Sequence, residues 1–166
     1  KIATIGATGN ISFINQAGAS DGVGSKPITI TLNSDLKFEG RDAIEKNSQG
    51  QDVHTVGWVL TNSFHSLKNI ELTATAFGDI SVTTSSPAAG ALSYDAQTKK
   101  ITWIISEMPN SVDVINSAFT ITINKNNPTQ NTLLSKAHLT AEDAVTGQKI
   151  DLAADEISLN GNTPTP

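Results

Sequence analysis

The sequence predicts an all-β fold of two packed antiparallel sheets with an extra N-terminal strand segment, on three observations. Aliphatic and aromatic residues alternate with Thr and Ser at period two along most of the chain. Clusters of Gly, Pro, Asn and Asp break that alternation at short intervals. Apolar residues at helical spacing are nearly missing. A strand with one apolar and one polar face belongs to an antiparallel sheet covered on one side, and two such sheets facing each other make a sandwich.

Residues 1–25 stand apart. Ile2, Ile5, Ile11, Phe13 and Ile14 sit among small residues, and Gln16 to Lys26 is rich in Gly, Ala and Ser. One or two strands carried on a flexible linker are expected there. Three roles are open to them: an ordinary first strand, a strand that completes the sheet of a neighbouring subunit, or the last strand of a preceding domain. Ile11, Phe13 and Ile14 are the candidate partner-contact residues.

The sandwich itself is expected over 26–160. Ile28, Ile30 and Leu32 alternate with Thr29 and Thr31, and Val56, Trp58 and Leu60 form an inward row. Further inward rows are Ile70, Leu72, Ala74 and Ala76; Ile101, Trp103 and Ile105; and Phe119, Ile121 and Ile123. Leu133, Ala137 and Leu139 point inward, with Lys136 and His138 outward. Ile150 and Leu152, then Ile157 and Leu159, complete the set. The polar stretch Glu39 to Asp52 is the one place that admits a helical turn, around Asp42 to Glu45. Turns are expected at Ser85 to Gly90, at Tyr94 to Lys99 with Asp95 accepting from the backbone two residues on, at Asn124 to Pro128, and at Val145 to Gln148. The closing Gly161 to Pro166 alternates Thr and Pro, which reads as an extended linker, and the lack of an initial Met suggests a processed or partial chain.

Composition narrows the function classes. Eleven basic and sixteen acidic residues among 166 give a net charge of −5, and no basic cluster is present, which argues against a nucleic-acid partner. No apolar run approaches the ~20 residues of a membrane-spanning helix, so no membrane insertion by this segment is expected. Cysteine is absent, which excludes disulfides, thiolate metal sites and a cysteine nucleophile.

Three stretches carry a resemblance. Trp58-Val59-Leu60-Thr61-Asn62, followed by Leu67 to Ala74, is similar to a Trp-x-x-Thr-Asn hairpin. Leu92 to Trp103 is similar to a Tyr-Asp turn leading into a Thr-Trp strand. Ala137 to Gln148 is similar to a late strand closed by an Asp-x-x-Thr-Gly turn. From about Lys26 to Asn160 the chain thus resembles the immunoglobulin-like repeat domains of large bacterial and archaeal surface proteins. It departs from them at Ala76-Phe77-Gly78-Asp79, where Leu-Pro-x-Gly is usual, and at Ser106-Glu107, where Gly often ends the Trp strand. The resemblance implies an extracellular, cell-surface spacer, adhesive or assembly module. Its partners would be further copies or neighbouring domains of the same protein, with carbohydrate or another protein as the alternative ligand.

Residues in patterns that carry catalytic or cofactor chemistry are few. His54, His65 and His138 lack zinc-protease spacing, and no nucleophile elbow, phosphate loop or dinucleotide fingerprint occurs. Gly6-Ala7-Thr8-Gly9 lacks the third glycine and the helix that would hold a pyrophosphate. The histidines read as surface or boundary residues, with His54 inward at a strand end. Glu142 and Asp143 read as a solvated rim, although Asp143 and Asp151 approaching across a hairpin could hold calcium. A Lys–Asn crosslink from Lys37 or Lys136 to Asn124 or Asn160 has Glu71 as its nominal promoter, but alternation turns Glu71 outward. Trp58 and Trp103 read as core, which leaves Phe64 and Tyr94 as loop aromatics for a sugar. No catalytic residue, cofactor or metal is therefore assigned, and the chain is expected not to be an enzyme.

Overall fold

Alternation becomes fifteen β-strands in a computed structural model, with no helix among the described residues, 4–125 and 128–160. The five-stranded sheet runs in the order β14 (Lys149–Ala154), β13 (Ala137–Asp143), β7 (Leu67–Thr75), β10 (Lys100–Met108), β9 (Ala91–Asp95). The four-stranded sheet runs β5 (Lys37–Lys46), β6 (Asp52–Thr61), β11 (Val114–Ile123), β8 (Ile80–Thr84). Two short strands, β12 (Thr132–Leu134) and β15 (Ile157–Ser158), pair with each other. Every ladder is antiparallel.

The apolar faces of the two large sheets form one core. Val56, Trp58, Leu60, Phe119 and Ile121 from the four-stranded sheet join Ile70, Leu72, Ile101, Trp103 and Leu139 from the five-stranded one, all essentially inaccessible. Trp58 takes an edge-to-face contact from Phe119 at 5.1 Å and another from Phe38 at 6.4 Å. Trp103 donates its indole N–H to the Ala89 carbonyl at 2.9 Å, which ties the 85–90 loop to the sheet. Gly90 ends that loop with φ +74°, and a Cβ there would collide with the Ile104 carbonyl oxygen, so only glycine fits. The inward rows expected downstream of Asp52 are buried or half-buried, and Lys136 and His138 face solvent as expected. At the Tyr94–Lys99 turn, Asp95 accepts from the Gln97 N–H at 2.9 Å, as its spacing predicts.

Three local expectations are corrected. Asp42 to Glu45 is no helical turn but the middle of edge strand β5, paired with β6 from Lys37↔Thr61 to Lys46↔Asp52. Ile28 and Ile30 do not enter the core: they lie on β4 (Ile28–Thr31), which pairs with β1 (Thr4–Ala7), and remain 67% and 58% exposed. Gln16 to Lys26 is not simply linker, because Ser20–Gly24 forms β3 against β2 (Asn10–Ile14). The expected linker over 161–166 lies outside the described residues.

Candidate interaction ribbon and its polar anchor

Pairing of β1 with β4 and of β2 with β3 makes residues 4–31 a two-stranded ribbon. Its tip is a turn set by Asn15, whose side-chain oxygen accepts from the N–H groups of Ala17 and Ala19, both at 3.0 Å, while Gly18 supplies φ +79°. Halfway along, three residues (25–27) on one strand oppose two (8–9) on the other, a bulge closed by Ser25 N–H donating to the Gly9 carbonyl at 2.7 Å. The extra residue resets the alternation, so Val23, Ile28 and Ile30 all sit opposite apolar partners: Ile11, Ala7 and Ile5.

Every residue from Thr4 to Thr31 is exposed. That includes seven large apolar side chains, Ile5, Ile11, Phe13, Ile14, Val23, Ile28 and Ile30, at 44 to 75% exposure. Of the candidate contact residues, Ile11 and Phe13 share one face of the ribbon and Ile14 takes the other, by their alternation on β2. The ribbon's own sandwich covers none of them.

Where the ribbon meets the sandwich, three consecutive polar residues are fastened to two loops, 62–65 and 143–148. Asn33 donates its amide to Gln148 Oε1 at 2.6 Å and accepts from the Thr146 hydroxyl at 3.0 Å. The Ser34 N–H donates to Asp143 Oδ2 at 2.8 Å, and the Ser34 hydroxyl meets the Asn62 side-chain oxygen and the His65 carbonyl. Asp35 accepts from the Ser63 hydroxyl at 2.6 Å and from the Ser63 and Phe64 N–H groups at 2.8 and 2.9 Å. These bonds, the Ser63 hydroxyl foremost, lower the Asp35 carboxyl to about 2. Leu36 then enters the core.

Asp143 is the centre of this anchor. One carboxylate oxygen takes the His65 Nδ1 at 2.7 Å and the Ser34 N–H; the other takes the N–H groups of Val145 and Thr146 at 2.8 and 3.0 Å. Burial works to raise its carboxyl, but the imidazole and the backbone donors together outweigh it and hold the group below its ordinary value. A carboxylate with four donors fixes the His65 tautomer, with the proton on Nδ1. Serine, histidine and aspartate therefore meet here, yet the Ser34 hydroxyl goes to Asn62 and to a backbone carbonyl and the imidazole's Nε2 is buried. The arrangement fastens loops together.

Sequence reasoning missed this anchor. His65 and Asp143 are fully buried, not boundary or rim residues, whereas His54 lies inward near the start of β6 as expected, against Asp42 at 3.0 Å. Asp151 does not approach Asp143: it pairs in register with Thr140 and is exposed, and no metal-binding cluster of acidic and histidine residues occurs among the described residues. Lys37, Lys136, Asn124, Asn160 and Glu71 are all exposed, so the environment a buried-carboxylate crosslink needs is not formed. Phe64 stacks on His65 at 4.1 Å, and Tyr94 packs on the core edge.

The overall shape places the chain among known folds. It is similar to the major pilin subunit of Bacillus cereus, with a TM-score of 0.54 and 10% identity over 90% of this chain and 47% of that one. It is similar also to the full-length major pilin of Corynebacterium diphtheriae, with a TM-score of 0.53 and 10% identity over 82% and 44%. The sandwich fold is shared with pilins. The chain spans about half the length of either. No family model and no curated protein matches it. No helix among the described residues is long and apolar enough to cross a membrane.

Proposed function

We propose that this chain is a non-catalytic structural module of an extracellular surface protein or filament, and that it associates through the exposed ribbon. One observation carries the reading: residues 4–31 hold seven large apolar side chains in water on a two-stranded ladder. An isolated ladder of two strands is marginal in water, and an exposed apolar patch of this kind marks a surface that is covered in use. Full burial of such side chains contributes about 1.5–3 kcal/mol each, and they are half to three-quarters exposed. The gain available on docking is therefore on the order of 10 kcal/mol before association costs of similar size. The sandwich below supplies a rigid body, and the anchor at 33–35 holds the ribbon to it. A fold shared with pilins is compatible with a mechanical role.

The test is sedimentation of the full chain over a wide concentration range, beside a variant carrying Ile11→Thr, Phe13→Thr and Ile14→Thr. Threonine keeps strand propensity and removes the apolar surface. Concentration-dependent association of the parent that the variant loses supports the reading; a parent that stays monomeric throughout, or a variant that associates equally, refutes association through the ribbon. Antibody labelling of intact source cells tests the location, and signal only after permeabilisation refutes it.

A further inference from the structure

Among the described residues the sandwich has four open sheet edges, and they are not alike. Edge strand β5 carries Lys37, Glu39, Arg41, Glu45 and Lys46, and edge strand β14 carries Lys149 and Asp151. Charges of this kind protect an edge from pairing with another chain. Edge strand β8, Ile-Ser-Val-Thr-Thr, has no charge and no proline, and β9 is uncharged until its last residue, Asp95. These two unprotected edges lie side by side without hydrogen bonding to each other. Between them is a groove of about 710 Å³ lined by Ile80, Val82 and Tyr94, with Gly78, Asp79 and Lys99 at one end.

The free main-chain groups along this groove can be assigned. The Asn124 N–H donates to the Asp79 carbonyl at 3.0 Å, so Asp79↔Asn124 is a hydrogen-bonded pair in the continuation of the β8–β11 ladder. Hydrogen-bonded and non-bonded pairs alternate in an antiparallel ladder. Ile80, Val82 and Thr84 therefore direct their N–H and C=O groups outward, away from β11 and along the groove.

We infer that this groove receives the ribbon of a second copy of the chain, with β2 adding to β8 as a further strand of the four-stranded sheet. The inference rests on the reading of the ribbon as a contact surface and names what it contacts. Both strands are five residues long. Ile11 and Phe13 project from one face of β2 and meet the apolar floor made by Ile80, Val82 and Tyr94, while main-chain hydrogen bonds set the register. Charge favours the same occupant. Asp21 and Lys26 are the ribbon's only charged residues and cancel, so the chain's net charge of −5 lies outside it. Two acidic bodies repel on approach, whereas a neutral ribbon reaches the groove without that cost. Because the donating and receiving surfaces differ, the contact is head-to-tail and leaves a free ribbon and a free groove at the two ends, so it propagates.

A mixing experiment tests this on the full chain. The groove variant is Val82→Glu, an inward-pointing charge on an edge strand, with Thr84→Pro as the replacement if Val82→Glu does not fold by tryptophan fluorescence. The ribbon variant is the triple Thr substitution at Ile11, Phe13 and Ile14. Each variant alone is expected to lose self-association by about tenfold or more, and an equimolar mixture is expected to form a 1:1 dimer that grows no further, because one ribbon and one groove remain functional. If the groove variant associates as the parent does and the mixture adds nothing, the groove assignment is overturned while the ribbon contact stands, as in a face-to-face pairing of two ribbons. If the parent is monomeric at every concentration, both are overturned.

Discussion

Replacing Asp143 with Ala removes one carboxylate and strands four donors, and its cost can be worked from their surroundings. The Val145 and Thr146 N–H groups lie in the turn closing β13 and β14, where solvent can replace the lost acceptor. His65 Nδ1 is buried and has no such replacement, and the Ser34 N–H is partly buried. A hydrogen bond to a charged group contributes about 1.5–3 kcal/mol, so these two donors put the loss at roughly 3–5 kcal/mol. Asp143→Asn keeps one oxygen for the turn but sets an amide N–H against the Ser34 N–H, so about half the loss, roughly 2 kcal/mol, is expected. Urea unfolding followed by tryptophan emission is the assay, since Trp58 and Trp103 are both buried in the core. With an m-value of about 2 kcal/mol/M, the Ala variant should unfold at a urea concentration lower by about 2 M. A loss below about 1 kcal/mol, the size of an average substitution, would refute the claim that Asp143 organises the anchor.

Further expectations follow from the same geometry. Asp35, lowered from 3.8 to about 2, contributes stability that is present above 3.8 and lost as pH falls toward about 2, and Asp143, also lowered, adds to the loss below 3.8; the urea midpoint should drop as pH falls below 3.8, and less steeply in Asp35→Asn. Gly90→Ala should cost about 2–3 kcal/mol or more by differential scanning calorimetry, because it forces a side chain into a positive-φ position already filled by the Ile104 carbonyl. Asp42→Leu should destabilise by leaving the fully buried His54 without its carboxylate, and adding His54→Leu should recover most of the loss in a double-mutant cycle. Recovery of none of it would mean that the two side chains do not act as a pair.

The legible parts of the sequence were those whose signal is local. Period-two alternation gave the inward rows from Val56 to Leu139 because each needs only its own strand to be read. The same rule misplaced Ile28 and Ile30, since alternation reports that a strand has an apolar face and not what covers it. Strand β5 was hidden because Asp42 and Gly40 occupy its inward positions; the histidine that satisfies Asp42 lies on the neighbouring strand. One signal could have been used. Asn15-x-x-Gly18 and Asn47-x-x-Gly50 make the same turn, with the Asn oxygen accepting two residues and four residues on and Gly at positive φ. Reading that repeat would have closed β2–β3 and β5–β6 as hairpins. The His65–Asp143 pair offered nothing to read, because 78 residues separate partners joined only by the packing of two loops.

The anchor and the ribbon make sense together and poorly apart. The sandwich core is complete without residues 4–31, since none of them is buried. Fastening 33–35 to two loops adds to the stability of the sandwich, and it also fixes the segment immediately before it. A ribbon that worked as a free tether would be served by a flexible root, whereas one that must present Ile11 and Phe13 in a fixed direction needs the root immobilised, which lowers the ordering cost on docking. The root is built from hydrogen bonds to two different loops, so pulling on the ribbon loads several bonds at once. If hydrogen exchange found the amide of Ser34, which donates to Asp143, as fast as those of the ribbon tip, the root would not be fixed, and the ribbon would be a tether after all.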